Sequence, residues 1–88
     1  MRKSIHRDEY AILLELLREQ RTKAGITQVQ ASKALGRSQS FISDVERGSR
    51  RLDLVQLRDL CHVLEIDLVD LVTQFEDALP ARRSRSKR

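Results

Sequence analysis

Gly25, Gly36 and Gly48 are the only glycines in the chain, and each closes a stretch whose apolar residues recur at helical spacing. Before Gly25, Leu13, Leu16, Leu17 and Ala24 fall three, four and seven residues apart, with Arg18, Glu19 and Lys23 off that stripe. Asp8 and Glu9 suit the positive end of a helix dipole, and Lys23 suits the negative end. Gly25 supplies a left-handed stop, with Ile26 placed for the hydrophobic contact that commonly follows. Thr27-Gln28-Val29-Gln30 reads as a capping box, opening a second helix that ends near Leu35. Ser38 is the expected N-cap of a third helix, from Gln39 to about Arg47, with Ile42 and Val45 facing inward.

Two further helices follow a basic connection, Ser49-Arg50-Arg51-Leu52. Asp53 with Gln56 predicts another capping box, and Leu57, Leu60, Cys61 and Leu64 form the stripe behind it. Asp67 is the expected cap of a fifth helix, which carries Leu68, Leu71, Val72, Phe75 and Leu79 and ends at Pro80. No strand alternation and no internal repeat is present. Only 3% of the residues are aromatic, Tyr10, Phe41 and Phe75, so the core must come from Leu, Ile, Val and Ala. Eighty-eight residues suffice for one domain with one core, unaided by metal or disulfide. The sequence therefore predicts a compact all-α domain of five helices over residues 8–79, a loose basic arm over 1–7 and a disordered basic tail over 80–88. The second and third helices, joined by a short turn at Gly36, have the spacing of a helix-turn-helix, whose second helix enters the major groove of DNA.

Other function classes find no support. The longest apolar run, Ala11 to Leu14, is far short of the roughly 20 residues that span a bilayer. The first nine residues hold no apolar stretch for a signal peptide. Cys61 is the sole cysteine, on an apolar stripe where it reads as a small core residue. His6 and His62 stand far apart, and His62 beside Cys61 lacks the second pair of ligands a zinc site needs. No metal, no cofactor and no paired catalytic groups are expected. The net charge of +4 hides a strong pattern. Residues 18–51 carry +5 and residues 52–79 carry −6, while the arm carries +3 and the tail +5. A polyanion should be drawn to one end of such a molecule and repelled by the other.

Gly25-Ile-Thr-Gln28, Leu35-Gly36, Ser38-Gln-Ser-Phe-Ile-Ser43 and Val45-Glu-Arg-Gly48 resemble, in order and spacing, the Xre/Cro-type helix-turn-helix family of phage repressors and small bacterial regulators. The resemblance covers about residues 10–79. It implies a five-helix, lambda-repressor-like fold, double-stranded DNA as ligand and, for most members, a symmetric dimer. It implies base contacts from the positions of Gln39, Ser40 and Asp44, a phosphate contact and a brace on Gln39 from Gln28, and a partly buried ion pair between Arg21 and Glu46. Two positions depart from the family pattern. Ala31-Ser32 replaces Leu-Ala in the second helix, where Val29 is the residue expected to compensate, and Glu65 stands where a glycine usually precedes the last helix.

The residues themselves suggest how DNA would be met. Gln39, Ser40 and Ser43 fall on the outer face of the third helix, where Gln can bridge adenine N6 and N7 and Ser can bond most bases. Asp44 could accept from cytosine N4, exclude wrong sequences, or point to solvent. Phe41 should be partly exposed if Ile42 and Val45 face inward, touching a thymine methyl or a sugar, or else it packs on the fourth helix or the loop that follows the third. Arg37, Arg47, Arg50 and Arg51, with Ser38 and Gln28, are the expected phosphate contacts, which position without specifying. Leu68, Leu71, Val72, Phe75 and Leu79 exceed what one small core needs and are the expected dimer interface. The expected function is a sequence-specific repressor or autoregulator on a palindromic operator. It would be cytoplasmic and nucleoid-associated in a bacterium or phage, and controlled by concentration, a partner or proteolysis. The alternative is an antitoxin or other interaction module whose acidic helices hold a protein partner, a toxin or polymerase.

Overall fold

The computed structural model describes residues 8–79, five helices without a strand: α1 (Asp8–Ala24), α2 (Gln28–Ala34), α3 (Phe41–Glu46), α4 (Leu54–Val63) and α5 (Leu68–Ala78). The arm at 1–7, Pro80 and the tail at 80–88 lie outside the described residues. None of the described helices is long and apolar enough to cross a membrane.

Local signals account for most of the helix ends. Thr27 and Asp53 each accept from the backbone N–H three residues on, while Gln30 and Gln56 bond back to the cap N–H, completing two capping boxes. The C-terminal ends share one pattern. After α1, Gly25 N–H donates to the Thr22 carbonyl at 3.0 Å and Ile26 N–H to the Arg21 carbonyl at 3.2 Å, with Gly25 at φ 73°. Paired bonds of the same kind end α2 at Gly36-Arg37, α3 at Gly48-Ser49 and α4 at Glu65-Ile66. The last places Glu65 at φ 62°, among the described residues the one non-glycine in the left-handed region.

Packing closes around Leu17, Ile42, Val45, Leu60, Leu64 and Leu71, each at most 3% exposed, with Ala31 and Cys61 also inside. The thiol of Cys61 is pushed up from its ordinary pKa, first by burial and second by the nearby charge of Asp67. The short α2 and α3 cannot persist alone, since isolated helices below about 12 residues are marginal in water, so this core holds them.

Several expectations need correction. Ala24 is exposed, and Gln20 takes the inward place on α1, 8% exposed and donating to Gln74 Oε1 of α5 at 3.2 Å. Val29 is 42% exposed and does not compensate for Ala31, which is itself fully buried. Asp67 precedes α5 without a side-chain cap bond. The third helix begins at Phe41, two residues later than expected, because Phe41 N–H bonds the Ser38 carbonyl at 3.0 Å and makes Ser38–Phe41 a turn.

Glu65 offers a direct test of this account. A side chain in left-handed backbone costs roughly 1–2 kcal/mol, partly offset by the greater unfolded-state freedom of glycine. Glu65→Gly should therefore raise stability by about 0.5–1 kcal/mol in urea denaturation, while Glu65→Ala should bring no gain. A destabilised glycine variant would show that the Glu65 side chain contributes more than its backbone strain costs.

Candidate nucleic-acid interface

The interface is built on α3, whose orientation is set at both ends by other helices. At its C-terminal end Glu46 meets Arg21 of α1, with Nε to Oε2 at 2.6 Å and Nη2 to Oε1 at 3.1 Å. Gln28 Nε2 of α2 donates to the same Oε1 at 2.9 Å, and Arg21 Nη1 reaches the Ile26 carbonyl at 2.9 Å. The Arg21 and Glu46 side chains are only 12% and 8% exposed, so this is the partly buried ion pair that the resemblance implied. Removing one partner of such a pair typically costs about 3–5 kcal/mol. One N–H of the Gln28 amide is thus used on Glu46, and among the described residues no hydrogen bond joins Gln28 to Gln39.

At the N-terminal end the cap comes from another helix. Ser40 precedes α3 without a side-chain cap bond. Ser32 of α2, fully buried, instead accepts the Ile42 N–H at 3.0 Å and donates to the Gln28 carbonyl at 2.9 Å. One hydroxyl satisfies a buried amide on α3 and fixes its distance from α2. The sequence marks Ser32 only as part of a departure from the family pattern.

With Ile42 and Val45 buried, the other face of α3 points outward. Gln39 and Ser40 are exposed in the turn before it, and Ser38 beside them is exposed too. Ser43 and Asp44 are half-buried on the helix, with Ser43 Oγ donating to the Ser40 carbonyl at 3.0 Å. Asp44 is ion-paired with Arg47, which removes much of the repulsion a lone carboxylate would offer a phosphate. Its carbonyl also accepts the N–H groups of Ser49 and Arg50, at 3.0 and 3.2 Å, and folds the next loop back toward α3.

Of the two places open to Phe41, base contact and inward packing, it takes the second. It is 5% exposed and belongs to the core, so its ring is closed to a base or sugar. At the first position of α3 it turns toward the end of α2 and the start of α4, beside Leu35 and Gln56. The guanidinium carbons of Arg37 and Arg50 lie 4.3 and 5.1 Å from its ring centroid. Arg51 lies 4.8 Å from the Tyr10 ring of α1. All three arginines are exposed, and each is held by an aromatic ring, a role the sequence does not assign to Phe41 or Tyr10. The acids Asp53, Asp59, Glu65, Asp67, Asp70, Glu76 and Asp77 are all exposed on α4, α5 and their flanks.

The expected dimer face is also narrower than its stripe. Leu71 and Leu79 are 1% and 5% exposed and serve the core, and Leu68 packs against it. Val72 is 45% exposed and Phe75 half-buried, and Val69 beside them is 73% exposed.

A family model described as a helix-turn-helix domain matches residues 12–74. The chain belongs to the Xre-type helix-turn-helix family of transcriptional regulators. It is similar to an XRE-family like protein from Pseudomonas syringae pv. tomato, with 42% identity and a TM-score of 0.79 over 88% of this chain and 94% of that one. It is also similar to the clp gene regulator ClgR from Corynebacterium glutamicum, with 25% identity and a TM-score of 0.68 over 76% and 86%. The HTH-type transcriptional regulator y4dJ of Sinorhizobium fredii is 33% identical over 57 residues, 65% of this chain and 74% of the relative. Regulators of this family bind double-stranded DNA, and the five-helix fold is theirs.

The cap from α2 can be tested without DNA. Ser32→Ala removes the acceptor for the buried Ile42 N–H and should cost about 1–3 kcal/mol of stability, read by thermal unfolding. An unchanged midpoint would mean that α3 does not depend on this hydroxyl.

Proposed function

We propose that this chain is a sequence-specific DNA-binding regulator, a repressor or autoregulator rather than an enzyme. It binds a palindromic operator in the cytoplasm as a homodimer. One observation carries the reading. The exposed Gln39-Ser40 turn is flanked by the exposed Arg37, Arg47 and Arg50, two of which lie over the Phe41 ring at the start of α3. Gln39 and Ser40 meet base edges in the major groove, and the arginines with Ser38 meet phosphates. Ser43 and Asp44 lie one turn further on, where Asp44 can exchange Arg47 for a cytosine N4.

Assembly follows from the reach of one domain. A single helix-turn-helix reads only a few base pairs, while a dimer sets two recognition helices about 34 Å apart, one turn of DNA. Val69, Val72 and Phe75 on α5 form the interface, since their apolar surface is left over once Leu71 and Leu79 are buried. A second reading, a module that holds a toxin or polymerase, draws support from Leu54 and Val55 at the start of α4, 66% and 68% exposed.

Selection of sites from a random duplex pool should return one palindromic sequence. On that operator Gln39→Ala should cost about 1–3 kcal/mol, with little loss on random DNA. Arg50→Ala should flatten the log–log salt slope by about 1 and weaken all duplexes alike. Binding that ignores salt in fluorescence anisotropy would sink the phosphate contacts. For the dimer, Val72→Glu should give a folded monomer with much weaker operator binding, since a two-fold interface feels each substitution twice. Sedimentation of the unaltered chain as a monomer, alone and on its operator, would overturn the assembly.

A further inference from the structure

We propose that Phe41 is a positioning residue for DNA binding. Its ring holds the guanidinium groups of Arg37 and Arg50 together beside the Gln39-Ser40 turn, so that two phosphate contacts are set before DNA arrives. This inference rests on the reading of Arg37 and Arg50 as phosphate contacts.

Burial alone does not explain an aromatic ring here. Phe41 is 5% exposed among aliphatic core neighbours, where a leucine would also remove apolar surface from water. The ring adds a negative face. Arg37 and Arg50 lie over it at 4.3 and 5.1 Å, both inside the range of about 6 Å over which such a face attracts a cation. Two like charges over one ring also stand within a Debye length of each other, about 8–10 Å at ordinary salt. Without the ring they repel and spread. With it they are held together over one face of the fold, with Asp59 lining the pocket beside Arg37.

The backbone on both sides is fixed to match. Arg37 N–H donates to the Ser32 carbonyl at 2.9 Å, which closes the turn after α2. Arg50 N–H donates to the Asp44 carbonyl at 3.2 Å, which folds the loop after α3. Arg37 precedes α3 and Arg50 follows it, and Phe41 is the first residue of the helix between them. The ring therefore joins three segments that are separate in sequence. A long side chain that is free in solution loses rotamer freedom when it meets a phosphate, and an arginine already held on a ring has lost part of it beforehand. Because phosphate contacts do not specify sequence, the gain should be the same on every duplex.

The test drains the ring of its negative face at nearly constant shape. Phe41 is replaced by phenylalanines of increasing fluorination, up to pentafluorophenylalanine, in the full chain and in an Arg37→Ala/Arg50→Ala background. Phe41→Leu serves as a second variant that keeps the site apolar. Affinity is measured on the selected operator and on random duplex, with thermal unfolding alongside. The expected result is a graded loss reaching roughly tenfold on both duplexes, and no further loss in the background lacking both arginines. If affinity ignores fluorination while the arginine substitutions still weaken DNA binding, the ring only fills the core and the inference falls, with the DNA reading intact. An equal loss in the arginine-free background would overturn it as well. If the arginine substitutions leave DNA binding unchanged, it is the reading of Arg37 and Arg50 as phosphate contacts that fails, and the inference goes with it.

Discussion

The exposed Gln39-Ser40 turn and the arginines beside it are positioned by a helix of six residues, and such a helix has no stability of its own. What holds it is the carboxylate of Glu46. Its two oxygens accept three N–H donors, two from Arg21 of α1 and one from Gln28 of α2. The cost of removing the charge from water is met by a bidentate partner and an amide, which is the condition under which a buried ion pair is tolerated. Arg21 bonds the Ile26 carbonyl as well, so the turn between α1 and α2 is tied into the same cluster. A carboxylate deprived of these donors would seek solvent and roll α3 about its axis. Specificity by base contact cannot survive that roll, because the outward positions would change.

The opposite end of α3 is fixed by a different chemistry, and together the two ends leave little freedom. Ser32 holds the Ile42 amide at 3.0 Å, and the side chains of Ile42 and Val45 fill the space between. A fixed axis and a fixed roll then decide which groups remain outside. Gln39 and Ser40 stand free in the preceding turn, and Asp44 is paired with Arg47. The +5 and −6 segments are distinct in sequence but meet in the fold, where Asp59 of α4 lines the same small pocket as Arg37 and Phe41.

How much of this was legible depended on the range of the interactions. The boxes at Thr27 and Asp53 and the stops at Gly25, Gly36 and Gly48 are made by residues within a few positions of one another, so the sequence carries them openly. The start of α3 is not local. Its cap is Ser32, ten residues away on another helix, and Ser38, the cap expected from the sequence, lies in the turn instead. Phe41 was legible in part. Residues four apart share a helix face, so Phe41, Val45 and Ile42 fit within an inward arc of about 100°, but the wall that Phe41 meets, formed by the end of α2 and the start of α4, required the fold. The basic and polar residues of the site were legible as types at positions; that Gln28 faces Glu46 and that two arginines share a ring required the fold.

The same limit explains α5, where a periodic stripe was taken for a single surface. Leu68, Leu71, Phe75 and Leu79 follow core spacing, and only Val69 and Val72 remain well exposed. A surface helix ordinarily turns polar residues outward, so two exposed valines among Asp70, Glu76 and Asp77 make an unusual face. In the proposed dimer a two-fold axis brings each copy's acids toward those of the other, and apolar burial must outweigh that repulsion. Salt then acts on the proposed dimer and on the proposed phosphate contacts in opposite directions. It screens the acids and favours pairing of α5, while it weakens phosphate contacts around α3. The balance between assembly and DNA binding is therefore set by where the charges lie along the chain, not by their sum.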